Sequence, residues 1–242
     1  SKNVQSNQVL NTVTGLTVGA GNTGAALSSN YNLTTANSSV SVTPKPLTIA
    51  GFASNDKVYD GTTAAVIATP GTLAGVVLGD TVGFSNTGAT FDTKNAGTGK
   101  TTTLNGVTLT GTGDQLNYTY TATTTDLSDL TPATLTYTAT PASRLYGSAN
   151  PAFSGMVTGF AGSETQGTAT TGTLAFTSTA TATNNVGAYA INGSGLTANN
   201  GNYVFVQAPA NATALTINPA PLTITADNKS RLVGNAEPTF TA

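Results

Sequence analysis

Three short stretches of the chain alternate apolar and polar residues, and each begins one to three residues after a proline. They are Leu47-Thr48-Ile49, Leu135-Thr136-Tyr137 and Leu222-Thr223-Ile224. Successive side chains of a β-strand point to opposite faces of the sheet, so the alternation predicts three strands with one buried face each. Proline is tolerated at this place because the first residue of a strand need not donate a ladder hydrogen bond.

The chain repeats itself with a period of about 87 residues. The leucines that open the three strands lie 88 and 87 residues apart. A second marker recurs with them, an Asn-Tyr pair at Asn30-Tyr31, Asn117-Tyr118 and Asn202-Tyr203. A repeat of this length is a whole small domain rather than one coil of a solenoid. We therefore predict the end of one module over 1–44, complete modules over 45–131 and 132–218, and the start of a further module over 219–242.

Composition favours strands over helices. The 242 residues are rich in Thr, Asn and Gly, and only 7% of them are charged. Thr is β-branched and suits a half-solvated sheet, whereas Gly and Asn supply turns. The predicted fold is all-β, with tandem small β-sandwich modules of Ig-like type in an elongated rod. A β-grasp-like module with a mixed sheet and one short helix is the alternative, which a helical turn near Gly162-Ser163-Glu164 would favour.

The same composition excludes several kinds of chemistry and partner. The chain has no Cys, His or Trp, so it has no disulfide, thiolate nucleophile, imidazole base or histidine metal ligand. Its net charge of −2 argues against nucleic acid as a partner. No run of about 18 apolar residues occurs, so we expect no segment inserted in a membrane.

Eight aromatic, glycine and proline residues recur near turns or strand starts and are predicted to be structural anchors. They are Tyr59, Gly61, Tyr118, Tyr146, Gly147, Pro151, Phe153 and Tyr203. Tyr59 and Tyr146 each precede a glycine by one or two residues and follow the Leu-Thr strand at nearly the same distance. We expect these two tyrosines to be equivalent core residues, each buried in its own module.

The acidic residues suggest neither catalysis nor a strong metal site. A glycosidase needs two facing carboxylates in one cleft, and no pair in this sequence is spaced for it. Asp56 and Asp60 lie just after a predicted module junction, where stalk proteins can bind calcium. The next two junctions lack a matching set of acids. We therefore expect no catalytic residue, no cofactor and no bound metal.

The residues of the two complete modules resemble two known domain families. Tyr59-Asp60-Gly61-Thr62, Gly79-Asp80, the run 91–97 and Asn117-Tyr118 occur in the order that is typical of the YDG domain. The second module is similar to the MBG domain of the YGX type. Its matching positions are Arg144, Tyr146, Gly147, Asn150, Pro151, Phe153, Gly159-Phe160, Gly187-Ala188-Tyr189, Gly195-Leu196 and Asn202-Tyr203. In the fragment that follows, Val233 stands where that family has a tyrosine.

This resemblance implies a role in large bacterial surface adhesins, often of filamentous-haemagglutinin type, whose biology includes cell adhesion and biofilm formation. Such modules stand in series and are not enzymes, so no catalytic residue is carried over. The expected location is extracellular, on the bacterial outer-membrane surface. The expected function is that of a stalk or spacer presenting a distal binding region. Its partners would be neighbouring modules, with host or matrix glycans and proteins bound through other regions. Binding of a glycan or matrix protein by these modules is the alternative.

Overall fold

The computed structural model describes residue 3, residues 5–9 and residues 39–242. The chain divides into two compact units. The first unit holds Ser1–Lys57 and Thr62–Leu130, and the second holds Val58–Gly61 and Thr131–Ala242. The predicted marker Asn30-Tyr31 and most of the segment 1–44 lie outside the described residues.

The predicted all-β fold is confirmed, since strands dominate and the described residues include a single short α-helix. The first fifteen strands are β1 (Gln5–Val9), β2 (Ser39–Val42), β3 (Lys45–Pro46), β4 (Thr48–Ala50), β5 (Ala53–Ser54), β6 (Lys57–Val58), β7 (Ala64–Ala65), β8 (Ile67–Thr69), β9 (Thr72–Ala74), β10 (Val82–Ser85), β11 (Gly88–Phe91), β12 (Gly97–Asn105), β13 (Thr108–Gly111), β14 (Tyr118–Thr119) and β15 (Thr125–Thr131). The others are β16 (Ala133–Ala139), β17 (Ala142–Leu145), β18 (Gly155–Thr158), β19 (Thr170–Thr177), β20 (Gly187–Tyr189), β21 (Asn192–Ala198), β22 (Tyr203–Gln207) and β23 (Leu215–Asn218). The α-helix is α1 (Gln166–Ala169), and 3-10 turns cover Asp114–Asn117, Asn199–Gly201 and Pro209–Thr213.

Among the described residues, no helix has the length and apolar character needed to cross a lipid bilayer.

The first unit contains a set of antiparallel strands and a group of hydrogen-bonded hydroxyl side chains. Strand β12 pairs antiparallel with β11 and β15, and β11 pairs antiparallel with β7. Ser54 lies between the buried hydroxyls of Thr102 and Ser128, and its Oγ is 2.6 Å from each. The Ser54 amide donates to Asp126 Oδ2 at 2.8 Å, and this bond lowers the pKa of the Asp126 carboxyl. Each buried hydroxyl therefore has a partner, as the stability of a buried polar group requires.

The second unit is organised by β16, which is parallel to β22 and antiparallel to β18. Strand β23 is likewise parallel to β17 and antiparallel to β20. Asn211, only 1% exposed, ties the centre together because it accepts from the Ala139 amide at 2.8 Å and donates to the Tyr137 carbonyl at 2.9 Å. The mixed pairing and the helical turn α1 are the features that the β-grasp-like alternative called for.

The three stretches that are predicted to be strands differ in structure and burial. In β16 every second side chain is buried, and Leu135 is fully enclosed. Leu47, just before β4, is 1% exposed. The predicted strand at Leu222-Thr223-Ile224 is wrong, because these residues form no strand and Leu222 and Ile224 are 87% and 75% exposed. A strand needs a neighbour for its backbone groups and a cover for its apolar face, and no described residue pairs with this stretch.

Candidate functional site

The tyrosines of the Asn-Tyr pairs occupy the same kind of site in both units. Tyr118 opens β14 and is 6% exposed, and Tyr203 opens β22 and is 5% exposed. Each residue is buried, and its hydroxyl contacts a tight four-residue turn that ends in an acidic residue. We call these the first tyrosine turn (Val77, Asp80 and Tyr118) and the second tyrosine turn (Ala161, Glu164 and Tyr203).

The first tyrosine turn is closed by three hydrogen bonds. The Asp80 amide donates to the Val77 carbonyl at 3.0 Å, which forms the turn. The Val77 amide donates to the Tyr118 hydroxyl at 3.0 Å, and that hydroxyl donates to Asp80 Oδ2 at 2.6 Å. Gly79, the third residue of the turn, has a φ of 93°, which favours glycine over any residue with a Cβ. A cavity of about 170 Å³ adjoins the site and is lined in part by Lys45.

The second tyrosine turn has the same connections with a glutamate in place of the aspartate. The Glu164 amide donates to the Ala161 carbonyl at 3.0 Å. The Ala161 amide donates to the Tyr203 hydroxyl at 2.9 Å, and that hydroxyl donates to Glu164 Oε2 at 2.7 Å. Here the glycine is the second residue of the turn, Gly162, with a φ of 54°. The two units therefore use one design in which a phenol bridges a backbone amide and a carboxylate.

Tyr59 adds a second phenol to the second tyrosine turn. Its hydroxyl donates to Glu164 Oε1 at 2.6 Å, so each carboxylate oxygen of Glu164 accepts from a tyrosine. The Tyr59 ring meets that of Tyr203 edge to face, with centroids 5.3 Å apart. Its side chain is 3% exposed and packs with Leu135 and Ala169 in the second unit. The sequence predicts Tyr59 in the core of the module 45–131, whereas the structure places it among the residues of the second unit.

The electrostatics of this cluster keep both phenols protonated. Burial, reinforced by the hydrogen bond to Glu164, raises the pKa of Tyr59 to about 12. Burial also raises the pKa of Tyr203 to about 12, although the Ala161 amide opposes the shift. A phenol with this pKa is a hydrogen-bond donor at neutral pH and not a base. The arrangement can hold three chain segments together through one carboxylate, a charge-assisted contact stronger than that between neutral groups.

Tyr146 is exposed, so the prediction of a buried ring equivalent to that of Tyr59 is wrong. Its side chain is 46% exposed, although Gly147 adopts a φ of 82° that nearly equals the 81° of Gly61. A glycine with positive φ is therefore repeated, although it follows Tyr146 directly and follows Tyr59 after one residue, and no described element covers the ring of Tyr146. Pro151 is exposed as well, whereas Phe153 is half-buried against the core of the second unit.

Two polar residues near Tyr146-Gly147, Arg144 and Asn150, form hydrogen bonds within the second unit. Arg144 is 7% exposed, and its Nε donates to Asn150 Oδ1 at 2.7 Å. Its guanidinium also donates to the carbonyl of Thr181, and Asn150 donates to the carbonyl of Ala180 at 2.6 Å. These bonds tie the end of β17 to the 180–181 segment. Sequence reasoning recorded Arg144 and Asn150 as motif positions and missed this role.

The two candidate calcium ligands, Asp56 and Asp60, belong to different units. The Asp56 carboxylate accepts the Asp129 amide at 2.7 Å in the first unit. Asp60 is exposed and belongs to the second unit. In the part of the chain that the structure describes, no three Asp, Glu, His or Cys side chains are grouped closely enough to hold a metal ion.

Comparison with known protein families finds two domains in the chain. Residues 43–125 match the YDG domain, and residues 135–213 match the MBG domain (YGX type). The predicted tandem of these two domains is confirmed. No curated protein and no solved structure matches the chain.

Proposed function

We propose that this chain, which carries a YDG domain followed by an MBG domain of the YGX type, has a structural role in a bacterial surface adhesin. Both domains are consistent with adhesin-like or surface-associated modules. In this proposal the chain is a stalk or spacer segment of a secreted or surface-anchored protein. It holds a distal binding region away from the outer membrane, and it needs neither catalytic residues nor a cofactor.

The observation that carries the proposal is the use of the repeated tyrosine. Tyr118 and Tyr203 are both enclosed, and each hydroxyl is already bonded to a carboxylate and to a backbone amide of its own unit. A ligand-binding aromatic needs an accessible face or a hydroxyl that can exchange partners. A buried and fully bonded tyrosine at the same place in successive modules instead supports modules whose task is to remain folded.

Small-angle X-ray scattering of the chain tests the spacer proposal. A single compact domain of this length has a radius of gyration of about 18 Å. We expect a clearly larger value, because a spacer built from tandem modules must extend. A radius near 18 Å would contradict the proposal.

Binding of a glycan or a matrix protein is the second candidate, and the exposure of Tyr146 favours it. An aromatic ring with one open face is a common platform for an apolar sugar face. A glycan array probed with the parent chain and with the Tyr146→Ala variant separates the two functions. Specific binding that the variant loses would replace the spacer proposal, and its absence for both proteins is the result we expect.

A further inference from the structure

Tyr59 shows how a residue of one domain's sequence can complete the core of another. It lies inside the stretch 43–125 that matches the YDG domain, yet the segment Val58–Gly61 belongs to the second unit. Its backbone amide donates to the Thr131 carbonyl at 2.8 Å, and its hydroxyl reaches Glu164. The second tyrosine turn is therefore a receptor for a phenol carried on a short Tyr-Asp-Gly segment.

Tyr146 is the corresponding tyrosine of the next repeat, and it is exposed. Tyr59 follows Leu47 by 12 residues, and Tyr146 follows Leu135 by 11. Both donate their backbone amide to the last residue of a strand, Tyr59 to the Thr131 carbonyl of β15 at 2.8 Å and Tyr146 to the Asn218 carbonyl of β23 at 2.9 Å, so the two segments are attached at equivalent places of the repeat. Leu145, which precedes Tyr146 in the chain, is 44% exposed as well.

The sequence after β23 has the character of another module of the second type. Pro219-Ala220-Pro221-Leu222 stands in register with the segment 132–135 that opens the second unit. Ser230-Arg231-Leu232 repeats the residues at 143–145. A complete module in this register would carry its own counterparts of Glu164 and Tyr203.

We propose that Tyr146, with Gly147, is a docking hook for an MBG domain that follows residue 218 in register. The counterpart of Glu164 in that domain accepts the hydroxyl of Tyr146, and the counterpart of Tyr203 packs edge to face on its ring. The proposal does not depend on the spacer function, since it concerns only which residues join successive modules.

An extended chain tests the hook directly. Residues 1–218 are joined to a second copy of residues 132–218, and 3-fluorotyrosine is placed at position 146 in this chain and in the parent. We expect the fluorine resonance to move on extension and its solvent isotope shift to fall, because the ring becomes enclosed. Glu164→Gln in the appended copy should move the resonance back towards that of the parent. The same change in the natural copy is the matched control and should leave it in place. An exposed resonance in both chains would overturn the proposal.

A graft into the full chain decides the question even where the appended copy fails to fold. The five residues Lys57–Gly61 (Lys-Val-Tyr-Asp-Gly) are replaced by the four residues 144–147 (Arg-Leu-Tyr-Gly). The chimera thus offers the segment that carries Tyr146 to the second tyrosine turn, which is the natural receptor. We expect the second unit of this chimera to melt within about 2 °C of the parent, whereas Tyr59→Ala lowers its melting temperature by about 4 °C or more. A chimera that melts like Tyr59→Ala would show that the two segments are not equivalent.

Sedimentation of the full chain tests the rival occupant, a second copy of this chain. We expect a monomer for both the parent and Tyr146→Ala. Self-association of the parent that Tyr146→Ala abolishes would assign the hook to a second copy and overturn the proposal.

Discussion

The two tyrosine turns share one pattern of hydrogen bonds, and the second turn binds an additional phenol. Both connect a buried phenol to the first amide and the last carboxylate of a tight turn, with bonds of 2.6–3.0 Å. The first turn ends in Asp80 and adjoins a cavity, whereas the second ends in Glu164 and takes a second phenol from Tyr59. Because each carboxylate oxygen of Glu164 accepts a tyrosine hydroxyl, this one side chain connects Tyr59, Tyr203 and its own turn.

Removing the shared tyrosine should produce the largest effect in each unit. Tyr118→Ala deletes a buried ring from the first unit and Tyr203→Ala from the second, and each loss should cost about 3–5 kcal/mol of unfolding free energy. Denaturation in urea, followed by proteolysis at sites in either unit, should show that each variant opens its own unit first. If both units opened equally in either variant, the claim that each tyrosine turn stabilises only its own unit would be wrong.

Removing the carboxylate charge should distinguish the two turns. Hydrogen bonds to a charged group contribute about 1.5–3 kcal/mol each, and Glu164 accepts two from phenols where Asp80 accepts one. Glu164→Gln should therefore destabilise the second unit more than Asp80→Asn destabilises the first, as measured by thermal denaturation. Glu237→Gln, at an exposed position, is the matched control and should change neither transition. A smaller effect at Glu164 than at Asp80 would argue against the second phenol.

Part of this arrangement can be predicted from the sequence alone. The recurrence of the Asn-Tyr pair predicts a repeated structural tyrosine, and the alternation around Leu135 predicts the buried face of β16. The acidic partners were missed because one is Asp and the other Glu, and their glycines occupy different places in the turn. A usable signal was present, since the two acids precede their tyrosines by 38 and 39 residues.

The burial of Tyr59 and Tyr146 could not be read from local sequence. Both tyrosines precede a glycine with nearly the same positive φ, yet only the ring of Tyr59 is buried. Whether a ring is enclosed depends on the residues that cover it, and these are distant in the chain: Glu164 lies 105 residues after Tyr59. Periodicity fixes which face of a strand is apolar, but it does not say which module supplies the cover.

Alkaline pH should weaken the second unit through its two phenols. Their folded pKa of about 12 lies above the ordinary value of 10, so the folded state favours the protonated phenol. The stability that this difference provides is fully present below pH 10 and is lost as the pH rises from 10 to 12. Tyrosinate absorbance should include a late component above pH 11 that becomes smaller in Tyr59→Phe. Its absence in the parent would show that the phenols are not enclosed.

The smallest effect is expected at the exposed tyrosine. Tyr146→Ala in the parent chain removes a ring that is half in solvent, and a substitution of this kind usually changes stability by no more than about 0.5 kcal/mol. Chemical denaturation should therefore give nearly the same midpoint as the parent. A cost close to that of Tyr203→Ala would mean that Tyr146 is a core residue.

Native-state hydrogen exchange of the Tyr59→Ala variant tests the central claim most directly, namely that Tyr59 is a core residue of the second unit. The account predicts faster exchange for the amides of β16 and β22, which line the site of the lost ring, and unchanged protection in β11 and β12 of the first unit. Faster exchange in β11 and β12, with β16 and β22 still protected, would contradict it.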